Sequence, residues 1–210
     1  FTIFVIAISA VVYQNDFKSI FQKVGNPKGL SIFGDSMSSD DELREATTEI
    51  LSACQDMAKQ DVGAIIIIDM NGDIQDTIIE SGTPLGAVLS APLLESIFNT
   101  KAPLHDGAVI VRGNKIVAAG CFLPLTQRHV NKEMGTRHRA AIGITEETDV
   151  LSIVVSEETG IISVVKHGEI KRYMTMDKLK DEIEDVYGIS MAAIARREEK
   201  KEKKHHGRFE

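Results

Sequence analysis

Cysteine is nearly absent from these 210 residues: Cys54 and Cys121 are the only two, and their spacing matches no paired metal or disulfide pattern. A disulfide framework and a cysteine zinc site are therefore excluded, and a reducing compartment fits. Cys54 is expected on the apolar face of a helix and Cys121 on a strand, where buried packing competes with a reactive thiol as the reading of Cys121. Positive charge is also scarce. Lys and Arg number 24 against 31 Asp and Glu, and a net charge of −7 argues against broad nucleic-acid binding. Aromatic residues make up only 5%, but 43% hydrophobic residues over this length suffice for one core and require no second domain. No Gly-rich dinucleotide fingerprint, P-loop, nucleophile elbow or zincin motif occurs, so those enzyme classes recede.

One strongly apolar run is present, residues 1–13, and it switches at once to Gln14-Asn15-Asp16. At helical rise it spans about 20 Å, short of the roughly 30 Å hydrocarbon core of a bilayer. The expectation is the remnant of a transmembrane helix followed by a juxtamembrane helix over residues 1–24, with further membrane segments ahead of Phe1, since the chain does not open on Met. A buried core helix is the competing reading. A signal peptide fits poorly, because neither a basic start nor a small-residue cleavage pattern is present. Residues 25–39 are rich in turn formers and read as a linker. The folded domain is expected over 40–188, and 189–210 as a solvated tail of mixed charge, in which His205 and His206 are too isolated for a metal site.

Ser39 and Glu42 form a capping box ahead of the stripe Leu43, Ala46, Ile50, Leu51, Cys54, Met57 and Ala58, which predicts an amphipathic helix. Gly63 to Asp69 predicts a buried strand. Asn71-Gly72 then predicts a hairpin turn, with Ile74 to Ile79 continuing outward from it. A helix is expected from Ser90. Strands are expected near 105–111, 115–122, 150–155, 161–165 and 169–173, with a short helix after Gly135 and an amphipathic helix over Met176 to Tyr187. Hairpins among these strands predict a single layered α/β domain with a mixed central sheet flanked by helices, rather than a doubly wound parallel one.

Two short runs carry the chemistry. In Leu104-His105-Asp106-Gly107-Ala108-Val109-Ile110-Val111, Asp106 and Gly107 stand at the entrance of a buried strand, where a carboxylate faces a ligand and glycine permits close backbone approach. In Gly135-Thr136-Arg137-His138-Arg139-Ala140-Ala141, two guanidinium forks with hydroxyl, imidazole and amide donors suit phosphate oxygens. Singly, Asp-Gly is a common turn and a basic triplet is usually solvated. Together they suggest nucleotidyl transfer, with the acid holding a divalent cation and helping to activate a hydroxyl.

These runs resemble the diadenylate cyclases, whose domain carries an Asp-Gly-Ala motif and a downstream Arg-His-Arg motif, here Asp106-Gly107-Ala108 and Arg137-His138-Arg139. The resemblance extends from about Val62 to about Tyr173. It includes Thr100-Lys101-Ala102-Pro103-Leu104-His105, Phe122-Leu123-Pro124-Leu125, Lys132-Glu133-Met134-Gly135-Thr136 and Ser156-Glu157-Glu158-Thr159-Gly160. It implies condensation of two ATP molecules into cyclic di-AMP with release of two pyrophosphates, using Mn, Mg or Co, at the face between two subunits of a homodimer. It also implies a membrane-tethered protein with its catalytic domain in the cytoplasm and with room for regulatory protein partners. A catalytically silent nucleotide-binding module and a metal-dependent nucleotide hydrolase are the alternatives.

Carried over by resemblance, Asp106 is the metal ligand and activator of the 3′-hydroxyl, with Gly107 and Ala108 beside it, and Thr136, Arg137, His138 and Arg139 form the phosphate cradle. His105 and Glu157 resemble further metal-site positions. His105 equally fits a turn residue bonding a carbonyl, and Glu157 an ordinary polar loop residue. The stretch Gly82-Thr83-Pro84-Leu85-Gly86-Ala87 aligns with a family segment that reads Leu-Asp-Ala and shapes the adenine pocket; Gly86 stands in place of that Asp. Leu85 is the candidate adenine contact, with ordinary core packing as its other reading.

Overall fold

The computed structural model describes residues 38–130, 134–191 and 193–194. The apolar run at 1–13, the linker as far as residue 37 and the tail from 195 lie outside the described residues. Among the described residues no helix is long and apolar enough to cross a membrane.

Helix α1, Asp40–Lys59, starts where the capping box predicts: the Glu42 amide donates to Ser39 Oγ at 3.3 Å, and the Ser39 amide donates to the Glu42 carboxylate at 2.8 Å. Strand β1, Ala64–Ile68, follows, then the short helix α2, Asp76–Glu80, strand β2, Thr83–Val88, and helix α3, Ala91–Phe98. Strands β3, Ala108–Arg112, and β4, Lys115–Cys121, form a hairpin. Helix α4, Thr136–Glu147, leads to β5, Leu151–Val155, β6, Ile162–Lys166, and β7, Glu169–Lys171, and α5, Met176–Tyr187, ends the series.

The seven strands form one sheet in the order β2-β4-β3-β1-β5-β6-β7. Among the described residues only β1 and β3 run parallel and every other pair is antiparallel, which makes the sheet mixed as expected. Alternation along the central strands sorts side chains to two faces. Ile66 and Ile68 of β1, Val109 and Val111 of β3, and Ile153 of β5 pack beneath α1, α3 and α5. Ile65 and Ile67, Ala108 and Ile110, and Val154 face the opposite layer with Ala141, Ile142 and Ile144 of α4. The central strands are therefore apolar without a break because both of their faces are covered. Cys54 and Cys121 are both buried free thiols, one in each of these clusters.

The predicted hairpin at Asn71-Gly72 does not form. Gly72 does turn, at φ 73°, but the chain continues into α2, and β1 takes β3 and β5 as its neighbours. The cause is Asp69, which is fully buried at the end of β1. Its carboxylate accepts from the amides of Asp73 and Ile74 and from Nε and Nη2 of Arg112, at 2.9 and 2.8 Å for the guanidinium bonds. This closes the loop onto β3 instead of a returning strand. Strand β2, which the apolar pattern does not announce, is an exposed edge strand whose register against β4 shifts between Pro84 and Ala87; Gly86 sits in that bulge at φ 61°.

The ends of the domain are tied to the β3–β4 turn. Ser38 Oγ bonds the Asn114 side chain and accepts from its amide, and Tyr187 OH donates to Gly113 O at 2.9 Å. Beyond α5, Gly188 adopts the left-handed conformation at φ 69° and Ile189 is buried in the core.

Candidate active site

The parallel pair β1 and β3 begins, and β5 ends, at one edge of the sheet. That edge gathers Gly63, Asp106 and Glu157. Gly107 makes the approach possible. It stands at φ 137°, and a Cβ there would lie 2.5 Å from the carbonyl carbon of Gly120, itself at φ 69°. Two backbones thus cross where Asp106 leaves the loop and enters β3. Asp106 is exposed and makes no hydrogen bond or ion pair among the described residues, in contrast to the buried strand directly after it. His105 Nδ1 lies 2.6 Å from Ala102 O. A carbonyl only accepts, so Nδ1 carries the proton and Nε2 retains its lone pair. That is the arrangement by which a ligating histidine is oriented, and it also satisfies the turn reading.

Helix α4 presents its amino terminus to the same edge. Its N-cap is Gly135, which offers no side-chain acceptor, so the first-turn amides of α4 have no cap bond and carry the positive end of the helix dipole. Arg137 in that first turn pairs with Glu157 through Nη1 at 2.6 Å, with 21% of its side chain exposed. A Cβ on Gly63 would lie 2.5 Å from the same Nη1, so glycine at 63 leaves the guanidinium its room. His138 is 6% exposed and its Nε2 has no hydrogen-bond partner among the described residues. Burial, and next the Arg172 guanidinium, hold its pKa below the ordinary 6.5 against a smaller opposing pull from Glu158, so the neutral ring is favoured. Arg139 is exposed; its carbonyl accepts from the Thr126 amide and pins the loop after β4 across α4.

Two adjoining cavities occupy this edge. The first, of about 220 Å³, is bounded by the α4 amino terminus from Gly135 to His138, by 154–159 and by Arg172. The second, of about 290 Å³, is bounded by Asp106, Gly107 and Ala108 and by an apolar wall that includes Ile65, Phe122, Leu123 and Leu125. Thr136, Arg137 and Glu157 line both. The cavities are thus continuous: the first ends at a helix terminus with Arg137, His138 and Arg172, and the second sets the apolar side chains of Ile65, Phe122, Leu123 and Leu125 beside the Asp106 and Glu157 carboxylates. Cys121 also lines the second cavity, but burial pushes its thiol up to about 11 and keeps it protonated near neutral pH; Cys54, deeper still, is pushed up to about 12.

Of the residues singled out in the sequence, Asp106, Gly107, Ala108, Thr136, Arg137, His138 and Glu157 converge on these cavities. His105, Arg139 and Leu85 line neither cavity. Leu85 lies on the edge strand β2, 36% exposed, outside the core. Sequence reasoning did not single out Gly63, Ile65 or Arg172, nor give a role to Phe122 and Leu123. The last two fall in a run that carries the resemblance, whereas Ile65 reads only as core and Arg172 as one more charge beside Lys171.

Comparison with known proteins agrees with this geometry. Residues 51–170 match the DAC family, described as DisA bacterial checkpoint controller nucleotide-binding. The chain is 42% identical over 176 residues to cyclic di-AMP synthase CdaA of Bacillus subtilis (83% of this chain, 63% of that protein). It is 40% identical over 170 residues to a diadenylate cyclase of Listeria monocytogenes (80% of this chain, 61% of that protein). The chain therefore spans about three-fifths of the length of these relatives. Among solved structures it is similar to a double mutant of DacA from Staphylococcus aureus, with 39% identity and a TM-score of 0.67 over 71% of this chain and 99% of that one. It is also similar to a protein described as a hypothetical membrane spanning protein from Bacillus cereus, with 36% identity and a TM-score of 0.60 over 83% and 86%. A family match over more than half of the chain, on the fold and the motif residues that bound these cavities, makes this chain a member of the DAC nucleotide-binding family.

Proposed function

We propose that this domain is the catalytic part of a diadenylate cyclase, which joins two ATP molecules into cyclic di-AMP with loss of two pyrophosphates. The observation that carries the proposal is the convergence of Asp106-Gly107-Ala108 and Thr136-Arg137 on one cavity that continues, past the Arg137–Glu157 pair, to an uncapped helix terminus. A nucleoside with its phosphates has the same division. The apolar wall of Ile65, Phe122 and Leu123 suits a purine and ribose, and the α4 end suits the phosphates. This assignment puts the base against that wall rather than against Leu85.

In the reaction, the 3′-hydroxyl oxygen of one ATP bonds to the α-phosphorus of the other. The bond to the β-phosphate breaks, pyrophosphate leaves, and the hydroxyl proton is lost. Repetition with the roles exchanged closes the ring. The protein's part is positioning and charge neutralisation. Arg137 is held by Glu157 and by the space at Gly63, so its fork is already oriented; the α4 amides supply further donors without reorganisation. Because each ring needs two nucleotides, a second copy of the chain would face this cavity with its own ATP.

The donor set fits a divalent cation shared with the substrate. Asp106 is an exposed, unpaired carboxylate and His105 keeps an Nε2 lone pair, while Glu157 is engaged by Arg137. No group of three or more candidate side-chain ligands occurs among the described residues, so phosphate oxygens and water would complete the shell. Such a cation, Mn, Mg or Co, supplies charge neutralisation at the phosphates and a lower pKa for the attacking hydroxyl. We further propose that residues 1–24 tether the domain to the cell membrane with this site in the cytoplasm, where regulatory proteins reach it.

The test is incubation of the purified protein with ATP and each of the three metals, with products resolved by chromatography and mass spectrometry. Cyclic di-AMP is expected. ADP or AMP alone would replace the proposal with hydrolysis, and binding without turnover at any protein concentration would replace it with a silent nucleotide-binding module.

A further inference from the structure

Arg172 directly follows β7 and lines the first cavity, which also contains the α4 amino terminus. Four other arginines, at 44, 112, 128 and 137, are paired to a carboxylate. Arg172 is partly buried, and its Nε is inaccessible and without a hydrogen-bond partner among the described residues. A desolvated guanidinium nitrogen without an acceptor is costly, since the water it gave up is not replaced. The carboxylates on this wall do not supply the acceptor: Glu157 is taken by Arg137, and Glu158 is exposed and forms no ion pair with Arg172.

The group is nevertheless held in place. Its guanidinium carbon lies 5.3 Å from the centroid of the Tyr173 ring, a cation–π distance. Tyr173 itself adopts φ 60°, a backbone region that aromatic residues rarely occupy. A second unpartnered nitrogen lies in the same cavity: His138 is 6% exposed, and its Nε2 has no partner among the described residues. Arg172 Nε is a donor and His138 Nε2 a second buried nitrogen on a different element, and among the described residues neither has a partner; both side chains line the cavity at the amino terminus of α4. A bound oxyanion would supply the acceptor that the guanidinium lacks.

The position of the cavity indicates which oxyanion. Resting on the cyclase reading above, the nucleoside lies beside Asp106 in the second cavity, the α-phosphate lies at the shared residues Thr136 and Arg137, and the phosphates beyond it extend into the first cavity. We propose that Arg172, stacked on Tyr173, is a binding residue for the β- and γ-phosphates and hence for the pyrophosphate they become.

The test uses inorganic pyrophosphate with magnesium, and separately AMP, titrated calorimetrically into the full chain. Arg172→Gln is expected to weaken pyrophosphate binding about 10-fold or more, the size of a lost charge-assisted hydrogen bond, and to leave AMP binding within about two-fold. Arg128→Gln, which removes the same charge outside both cavities, leaves pyrophosphate binding unchanged. Arg172→Lys keeps the charge but loses the fork, and is expected to bind pyrophosphate several-fold more weakly than wild type; it serves the same purpose should the Gln variant not fold. In turnover, KM for ATP rises in both Arg172 variants more than kcat falls. Undiminished pyrophosphate binding in the variants, equal losses for pyrophosphate and AMP, or no pyrophosphate binding by wild type would each overturn the subsite. Failure of the cyclase reading is separate, because it shows as wild-type protein that makes no cyclic di-AMP.

Discussion

The two ends of the parallel pair β1 and β3 carry the same chemistry in opposite states. At one end Asp69 is buried and saturated, accepting from two backbone amides and from Nε and Nη2 of a side-on Arg112. At the other end, among the described residues, Asp106 is exposed and unpaired, and unpartnered nitrogens of His138 and Arg172 lie in the adjoining cavity. A carboxylate and an arginine therefore mean little as residue types. Where every lone pair is used internally, the pair closes a loop; where donors and acceptors are left over, the protein has retained them for something that it binds.

The largest expected effect is at the open end. Asp106→Asn should lower the rate of cyclic di-AMP formation by about 10²-fold or more while the thermal midpoint stays near that of wild type, because the exposed carboxylate supports no other part of the fold. Full activity would remove Asp106 from the chemistry. At the closed end the pattern should invert. Asp69→Ala leaves Arg112 and two amides unsatisfied beneath the sheet, which costs about 3 kcal/mol, or roughly 6–12 °C in the midpoint of a domain this size. Chemical denaturation at equilibrium checks it, and a variant as stable as wild type would refute the contrast.

A smaller effect is expected from Gly63→Ala. The new methyl meets the flexible end of Arg137 rather than backbone, so the chain should fold with little loss while the Arg137–Glu157 pair is displaced. ATP affinity should fall about 10-fold, the scale of one charge-assisted bond, with melting as the control. An unchanged Kd would mean that the pair is incidental. The smallest effect concerns His138. Its folded pKa lies below the ordinary 6.5, so the unfolded chain binds the proton more readily. The neutral buried ring therefore contributes stability that is present above pH 6.5 and is lost as the pH falls below that value. His138→Gln should flatten that part of the stability profile between pH 7 and pH 5; an unaltered slope would assign it to other groups.

Much of the fold was legible because burial leaves a periodic mark. The Ser39–Glu42 box, the stripe from Leu43 to Met57 and the helix Met176–Tyr187 all read directly from the residues. The error at Asn71-Gly72 is instructive: the dipeptide specifies a turn, but whether a strand or a helix follows is decided by Asp69 reaching Arg112, a contact across 43 positions of sequence. Strand β2 was silent for a related reason. It is an edge strand exposed along most of its length, so nothing forces its side chains to alternate.

The site divides along the same line. Local sequence determined the turn that exposes Asp106, the glycine that permits it, and an α4 terminus with basic residues and no capping side chain, because each of these depends on neighbours a few positions away. Only the tertiary structure decided that Gly63 makes room for Arg137, that Glu157 holds it, that Ile65 and Leu123 form an apolar wall beside Asp106, and that Arg172 and His138 each keep a buried nitrogen with no partner among the described residues. Those facts depend on which strand ends meet at one edge of the sheet, and strand order is set by the packing of two buried faces rather than by any local run of residues.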